Sequence, residues 1–365
     1  MDEKTLDATA CRLAHLFFLP IEDLKMLLEK HSIKEIRQRN LFWLPFLWVC
    51  FKCVLNGKTR HRDRVGMYKN LFGLSFSLRS SSKRLSQLPP AFCQDLIEGI
   101  QPKLNLIGSP KKRKKAKDLI YKVLAEDASV FHLDNRLADI FKNIPGCKSA
   151  GLKLYANFSV KNEIKLEGQI KNARSGDTRY KSRKPEKNSI ELRDRGWFSW
   201  SLFAEWMSEG RYFISRIQRQ INPQVIEVKQ GNPEWVKKRF QEIDLDGYTE
   251  VDFIIKPYKD SKGSVFRLKN GSILHLHMKG RKRADDKWYW YVFHLPETVS
   301  LTFEDVHSLY RARWRIEELF REIKQAFGGD HLRLRHYNSV VNHILMMILS
   351  YLISLGFLKK NSLGS

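Results

Sequence analysis

Residues 309–324 read Leu309-Tyr310-Arg311-Ala312-Arg313-Trp314-Arg315-Ile316-Glu317-Glu318-Leu319-Phe320-Arg321-Glu322-Ile323-Lys324. At about 100° per residue, Tyr310, Arg313, Glu317 and Lys324 fall within roughly 60° of one another on a helix. Leu309, Ile316, Leu319, Phe320, Ile323 and Phe327 cover an adjoining arc of about 100°. Upstream, Thr302-Phe303-Glu304-Asp305 is a capping pattern with acids in the first turn. Downstream, Gly328-Gly329 is a stop signal. One long helix is therefore expected, packed on one face, with a polar stripe at the edge of the core. An aromatic hydroxyl, two cations and one carboxylate in such a stripe suit a phosphodiester. The competing reading is an exposed helix laced with i,i+4 pairs, such as Glu317 with Arg321. That reading does not require what the wheel shows: Glu318 and Glu322 turn away, leaving Glu317 as the only acid of the stripe.

The charge balance points the same way. Among 365 residues, 65 Lys and Arg face 40 Asp and Glu, a net charge of +25. Such an excess repels itself in a folded chain, and a polyanion such as nucleic acid offsets it. The apolar share, 42%, is that of an ordinary globular protein and argues against wholesale disorder. Cys11, Cys50, Cys53, Cys93 and Cys147 form an odd, scattered set, unlike a disulfide framework. The start Met1-Asp2-Glu3-Lys4 lacks the basic-then-apolar order of a signal peptide. A reducing cytoplasm is the expected location. Leu41–Leu55 is too short for a membrane span and holds Pro45 and Lys52; Val340–Leu358 is interrupted by polar residues. Both read as buried helices, with no membrane partner.

Four regions follow from the pattern. Residues 1–108 look like a helical DNA-binding or assembly domain. Ser32-Ile33-Lys34-Glu35 reads as a capping box that starts a helix, and Pro89-Pro90 as a helix break. Residues 109–118 hold the run Lys111-Lys112-Arg113-Lys114-Lys115, either a solvated linker or a basic strap on phosphates. From 119 to 221 the chain alternates as short strands: 120–133, a hairpin of 151–160 and 163–170, 189–193 and 212–217, with a helix over 200–207. Strand–turn–helix–strand argues for an α/β unit that 301–358 completes. Residues 222–300 read as a β-rich insertion, with strands at 250–255, 265–268, 272–278 and 288–293 and a hairpin turn at Asn270-Gly271.

Metal-assisted phosphodiester cleavage needs several carboxylates converging on hard cations, so Glu317 requires partners. Asp127 lies within an early strand and Asp194 just past another. Neither stands out alone, because most loop and edge aspartates are structural. Together with the stripe, however, they resemble a known family. Tyr310, Arg313, Glu317 and Lys324 match the Y-x2-R-x3-E-x6-K signature of bacterial insertion-sequence DDE transposases, of the insertion-sequence-four type. Asp127-Ala128-Ser129 resembles the family's first-aspartate motif, and Asp194-Arg195-Gly196-Trp197-Phe198 its second. The similarity spans about residues 120–350.

The resemblance implies an α/β fold: a ribonuclease-H-like catalytic core with a β-rich insertion and an N-terminal helical domain. It implies an enzyme that cuts the terminal inverted repeats of its own element and joins them to target DNA. Asp127, Asp194 and Glu317 would hold Mg2+, with Mn2+ as a substitute. Tyr310, Arg313, Lys324 and Arg216 would contact DNA phosphates. Trp288 or Trp290 would stack on a flipped base, although for either ring alone a β-core role is the favoured reading. A homodimer on paired ends is implied too. The alternatives are a decayed or domesticated relative that binds DNA without cutting, and a plain nuclease of the same fold.

Overall fold

The computed structural model describes residues 1–34, 41–106, 122–147, 149–159, 166–175, 189–217, 221–258, 265–329 and 332–361. The lysine strap at 111–117 lies outside them, as does the turn between the strands expected at 151–160 and 163–170.

Six helices come first: α1 (Glu3–Leu16), α2 (Ile21–Lys30), α3 (Trp43–Leu55), α4 (His61–Phe72), α5 (Leu78–Gln87) and α6 (Pro90–Leu106). Pro90 opens α6, where its fixed φ and missing N–H cost nothing. Ser32 does not open a helix. It takes a left-handed φ of 52° and, with Ile33, closes α2 by donating its N–H back to Glu29. The last helix, α10 (Tyr337–Asn361), packs against α3, α5 and α6. Its apolar stretch Tyr337–Leu358 is mostly buried, so that stretch is spent on the core.

The strands are β1 (Lys122–Leu133), β2 (Ala150–Ser159), β3 (Leu166–Asn172), β4 (Ser189–Arg193) and β5 (Tyr212–Arg216). Helix α7 (Trp200–Ser208) links β4 to β5. β1, β2 and β3 pair antiparallel, and β4 and β5 join β1 in parallel. This β3-β2-β1-β4-β5 arrangement is the ribonuclease-H-like core.

The β-rich segment adds β6 (Gln224–Gln230), β7 (Glu250–Lys256), β8 (Leu276–Lys282) and β9 (Trp288–His294). Its last strand, β9, lies antiparallel beside β5. Among the described residues one nine-stranded sheet therefore runs β3-β2-β1-β4-β5-β9-β8-β7-β6. The segment at 265–268 forms only an isolated bridge, Arg267 with Ile273, around the Asn270-Gly271 turn. Strand β8 starts later than expected, and β6 was not foreseen.

Two cores flank the sheet. The larger joins the N-terminal helices, β1, β2, β4 and α10. The smaller packs α7 (Phe203, Trp206) against Phe213 of β5 and Phe253, Met278 and Trp290 of the insertion.

The expected single helix is two: α8 (Phe303–Arg311) and α9 (Trp314–Gln325). At the junction the N–H of Arg313 donates to Tyr310 and that of Ile316 to Arg313, i to i−3 bonds that tighten the turn. No Pro or Gly marks the break. It falls where Arg313 reaches across to Asp127 on β1.

Candidate active site

β1 and β4 are neighbouring parallel strands, with Glu126 opposite Arg193 in the register. Asp127 and Asp194 are the next residues on each. Side chains alternate along a strand, so Glu126 and Arg193 face one side of the sheet and the aspartates the other. Helix α9 packs on β1 and brings Glu317 in its first turn to the aspartate side.

Two side chains link the three acids. Arg313, 8% exposed, donates from Nη1 to Asp127 Oδ2 at 3.1 Å and from Nη2 to Glu317 Oε1. Tyr310 donates its hydroxyl to Asp194 Oδ1 at 3.0 Å. The Arg313 guanidinium lies 5.7 Å from the Tyr310 ring centre. Burial pushes the Asp127 carboxyl up to about 6; the charges of Asp194 and Glu317 act in the same direction, while the Ala128 N–H and Arg313 oppose it. Burial, and then Asp194, raise the Tyr310 hydroxyl well above its usual range, so it stays a donor. Burial alone would weaken the charge on Arg313, but Tyr310 and the three acids outweigh it.

The rest of the stripe is near by. Lys324 sits on the last turn of α9, its ammonium 5.4 Å from the Phe131 ring centre on β1. Arg216 ends β5, stacked 5.1 Å from the Tyr289 ring, and its charge reaches Tyr310. Trp288 and Trp290 share a face, with ring centroids 5.0 Å apart. Trp290 is 4% exposed, packed on Phe240 and directly over Gly280, so its ring is spent on the core; Trp288 is half-buried.

The donor chemistry suits a hard divalent cation: three carboxylates, one of them raised chiefly by burial and further by its acidic neighbours. Among the described residues, no three His, Cys, Asp or Glu side chains close around a single point. Arg313 stands between Asp127 and Glu317 instead, as the cation that neutralises them. A divalent ion sharing all three acids would have to displace that guanidinium.

Sequence reasoning passed over what lies beneath. Glu126 and Arg193 form an ion pair, both fully buried. Arg193 stacks 4.2 Å from the Trp206 ring centre, and Arg211 lies 4.3 Å from the same centre. Arg211 Nε donates to the buried Glu191 at 3.0 Å. The available signal was a charged residue immediately before each aspartate. Trp314, beside Arg313, is 57% exposed.

The family model for the transposase DDE domain matches residues 120–353, which spans the sheet, α8, α9 and most of α10. The chain belongs to the DDE transposase family. Two curated transposases from Bacillus thuringiensis are similar to it. That of insertion sequence element IS231B, from subsp. berliner, is 24% identical over 243 residues, covering 56% of this chain and 50% of the relative. That of IS231F, from subsp. israelensis, is 23% identical over 257 residues, covering 60% and 52%. This DDE transposase thus spans about half the length of the curated relatives it matches. Among solved structures, the piggyBac transposase synaptic complex with hairpin DNA aligns with a TM-score of 0.42 and 11% identity, over 93% of this chain and 72% of that one.

Proposed function

We propose that this DDE transposase cleaves the ends of its mobile element and joins them to target DNA, with Asp127, Asp194 and Glu317 as metal ligands. The observation that carries the reading is the meeting of the three acids, from β1, β4 and α9, through Arg313 and Tyr310. Mg2+ is the expected ion and Mn2+ its substitute. Held by these three carboxylates, the ion would supply activation of the attacking water or 3′-hydroxyl and stabilisation of the leaving oxygen.

The chain's own groups do the remaining work. Arg313, once released from the carboxylates, is placed to bind the scissile phosphate. Tyr310 orients Asp194 and holds its proton. Lys324 and Arg216 neutralise phosphates on either side of the acids, and Trp288 offers the accessible indole for stacking on a base. The excess of positive charge suits double-stranded DNA, both the element's inverted repeats and the target, and two copies of the chain would pair two ends.

The test compares Glu317→Gln with wild type for melting temperature, binding to an end-bearing duplex, and Mg2+-dependent nicking and joining. Gln keeps the size and removes the charge. Folding and DNA binding should persist while nicking is abolished. Nicking at the wild-type rate would remove Glu317 from the metal site and overturn the mechanism. Cutting without joining by the wild-type protein would mark a plain nuclease, and binding without cutting a decayed relative.

A further inference from the structure

Past the catalytic part of β1, an open cleft of about 660 Å³ is lined by His132, Asp134, Arg136, Arg333 and Arg335, among others. One wall is the short turn Asn135–Leu137 that follows β1, and the other is formed by Leu332, Arg333 and Arg335, ahead of α10. The walls are tied together twice. Leu133 and Leu332 form a parallel bridge at the base. Phe141 and Tyr337, beyond each wall, stack with centroids 5.3 Å apart and planes at 10°. The cleft is therefore preformed.

Its charge is unbalanced. Among the described residues, three arginines face a single carboxylate, Asp134, whose oxygens lie 4.0 Å from both Arg136 and Arg335. Those two arginines are 63% and 60% exposed. Among the described residues no carboxylate lies within 4.0 Å of Arg333. Asp134 also accepts from the N–H of Arg136, which fixes its place in the wall. The cleft continues a line of cations that begins at Arg313 and passes Lys324 over Phe131.

We propose that this cleft binds the phosphodiester backbone of duplex DNA at a distance from the cut. This deepens the transposase reading and rests on it. At about 3.3 Å per strand residue, the span from Asp127 to residues 132–134 is roughly 16–23 Å. At about 3.4 Å of duplex per base pair, the cleft meets phosphates roughly five to seven base pairs from the scissile bond. Arg333 and Arg335 grip two of them.

The experiment measures anisotropy of labelled duplexes against salt, in a Glu317→Gln background so that no cutting intervenes. Arg333→Ala/Arg335→Ala is compared with its parent on duplexes ending about three, or about twelve, base pairs from the cleavage point. One series is extended on the element side and one on the flanking side. On the long duplex of one series, the salt slope should be shallower by about 1.8, the value for two lost phosphate contacts. On the short duplexes the two proteins should match. The side showing the difference identifies whether element or flanking DNA fills the cleft. Should the Ala pair lower the melting temperature, Arg333→Lys/Arg335→Lys is used, which keeps the charge and should keep the parental slope. Equal slopes on both long duplexes, or an equal loss on short and long ones, would overturn the proposal. Because binding is read without catalysis, failure here leaves the metal-ligand test untouched.

Discussion

Glu126→Gln is the substitution that most directly tests how the aspartates are held. The side chain is fully buried, as is that of its partner Arg193, and the two residues sit opposite each other where β1 meets β4. Burial, and then the neighbouring Arg211, work against the charge on Arg193. Without Glu126, Arg193 loses its buried ion-pair partner, and Glu191, 4.0 Å from it, is already engaged by Arg211. Removing one partner of a buried pair costs about 3–5 kcal/mol. At about 2 °C per kcal/mol for a chain of this size, the melting temperature should fall by roughly 6–10 °C. Glu126→Met/Arg193→Met removes both charges and should recover most of that loss, because a well-packed apolar pair of similar volume is often neutral or stabilising. Thermal unfolding followed by circular dichroism reads all three proteins. A Glu126→Gln protein melting within about 2 °C of wild type would refute the assignment, as would a double variant no better than the single.

Buried histidines make stability depend on pH. Burial, and then Arg64, push His343 far below its usual range, and burial pushes His61 down to about 4. Both rings accept from Arg64 through Nδ1, so the fold holds them neutral while the unfolded chain takes up protons near pH 6.5. Stability should be full above about pH 6.5 and fall toward pH 4, by up to about 1.4 kcal/mol per pH unit for each histidine. A melting temperature that is flat across that window, or unchanged in slope by His343→Gln, would contradict this. Gly280→Ala should cost about 1–3 kcal/mol, because its Cβ would meet the Trp290 ring at 2.1 Å. Chemical denaturation checks it, and Trp290→Leu in the same chain should lessen the added cost.

Strong local patterns were legible in the sequence. β4 runs over Ser189–Arg193 as expected, and α7, β7 and β9 follow their alternation or periodicity to within a residue. The failures have specific causes. β6 is half-exposed and interrupted by register shifts around Val225/Glu227 and Val228/Gln230, which blur its alternation. β8 was placed too early because Ile273 and Leu274 look like strand. The true strand ends in Lys279-Gly280-Arg281-Lys282, where glycine makes room for an indole from the next strand. The helix break at Ala312-Arg313 left no mark, since neither Pro nor Gly stands there and the Arg313–Asp127 bond that coincides with it exists only in the folded chain. For the site, spacing alone assembled Tyr310, Arg313, Glu317 and Lys324. The two aspartates came from family resemblance, because no local pattern separates them from other aspartates. The buried ion pairs behind them depend on strand register, which no single segment encodes.

The pairing of β5 with β9 has a consequence for biosynthesis. The two strands are roughly seventy residues apart, so the ribosome delivers β5 long before the strand that covers its outer edge. In that interval the row of unpaired N–H and C=O groups on β5 is a template for strands of other chains. A product stopped between β6 and β8 would keep the open edge permanently, with the apolar face of α7 and Phe213 lacking its cover. Such fragments should aggregate. Trimming the insertion without loss of solubility requires keeping residues 288–294 and a connection long enough to return them to β5.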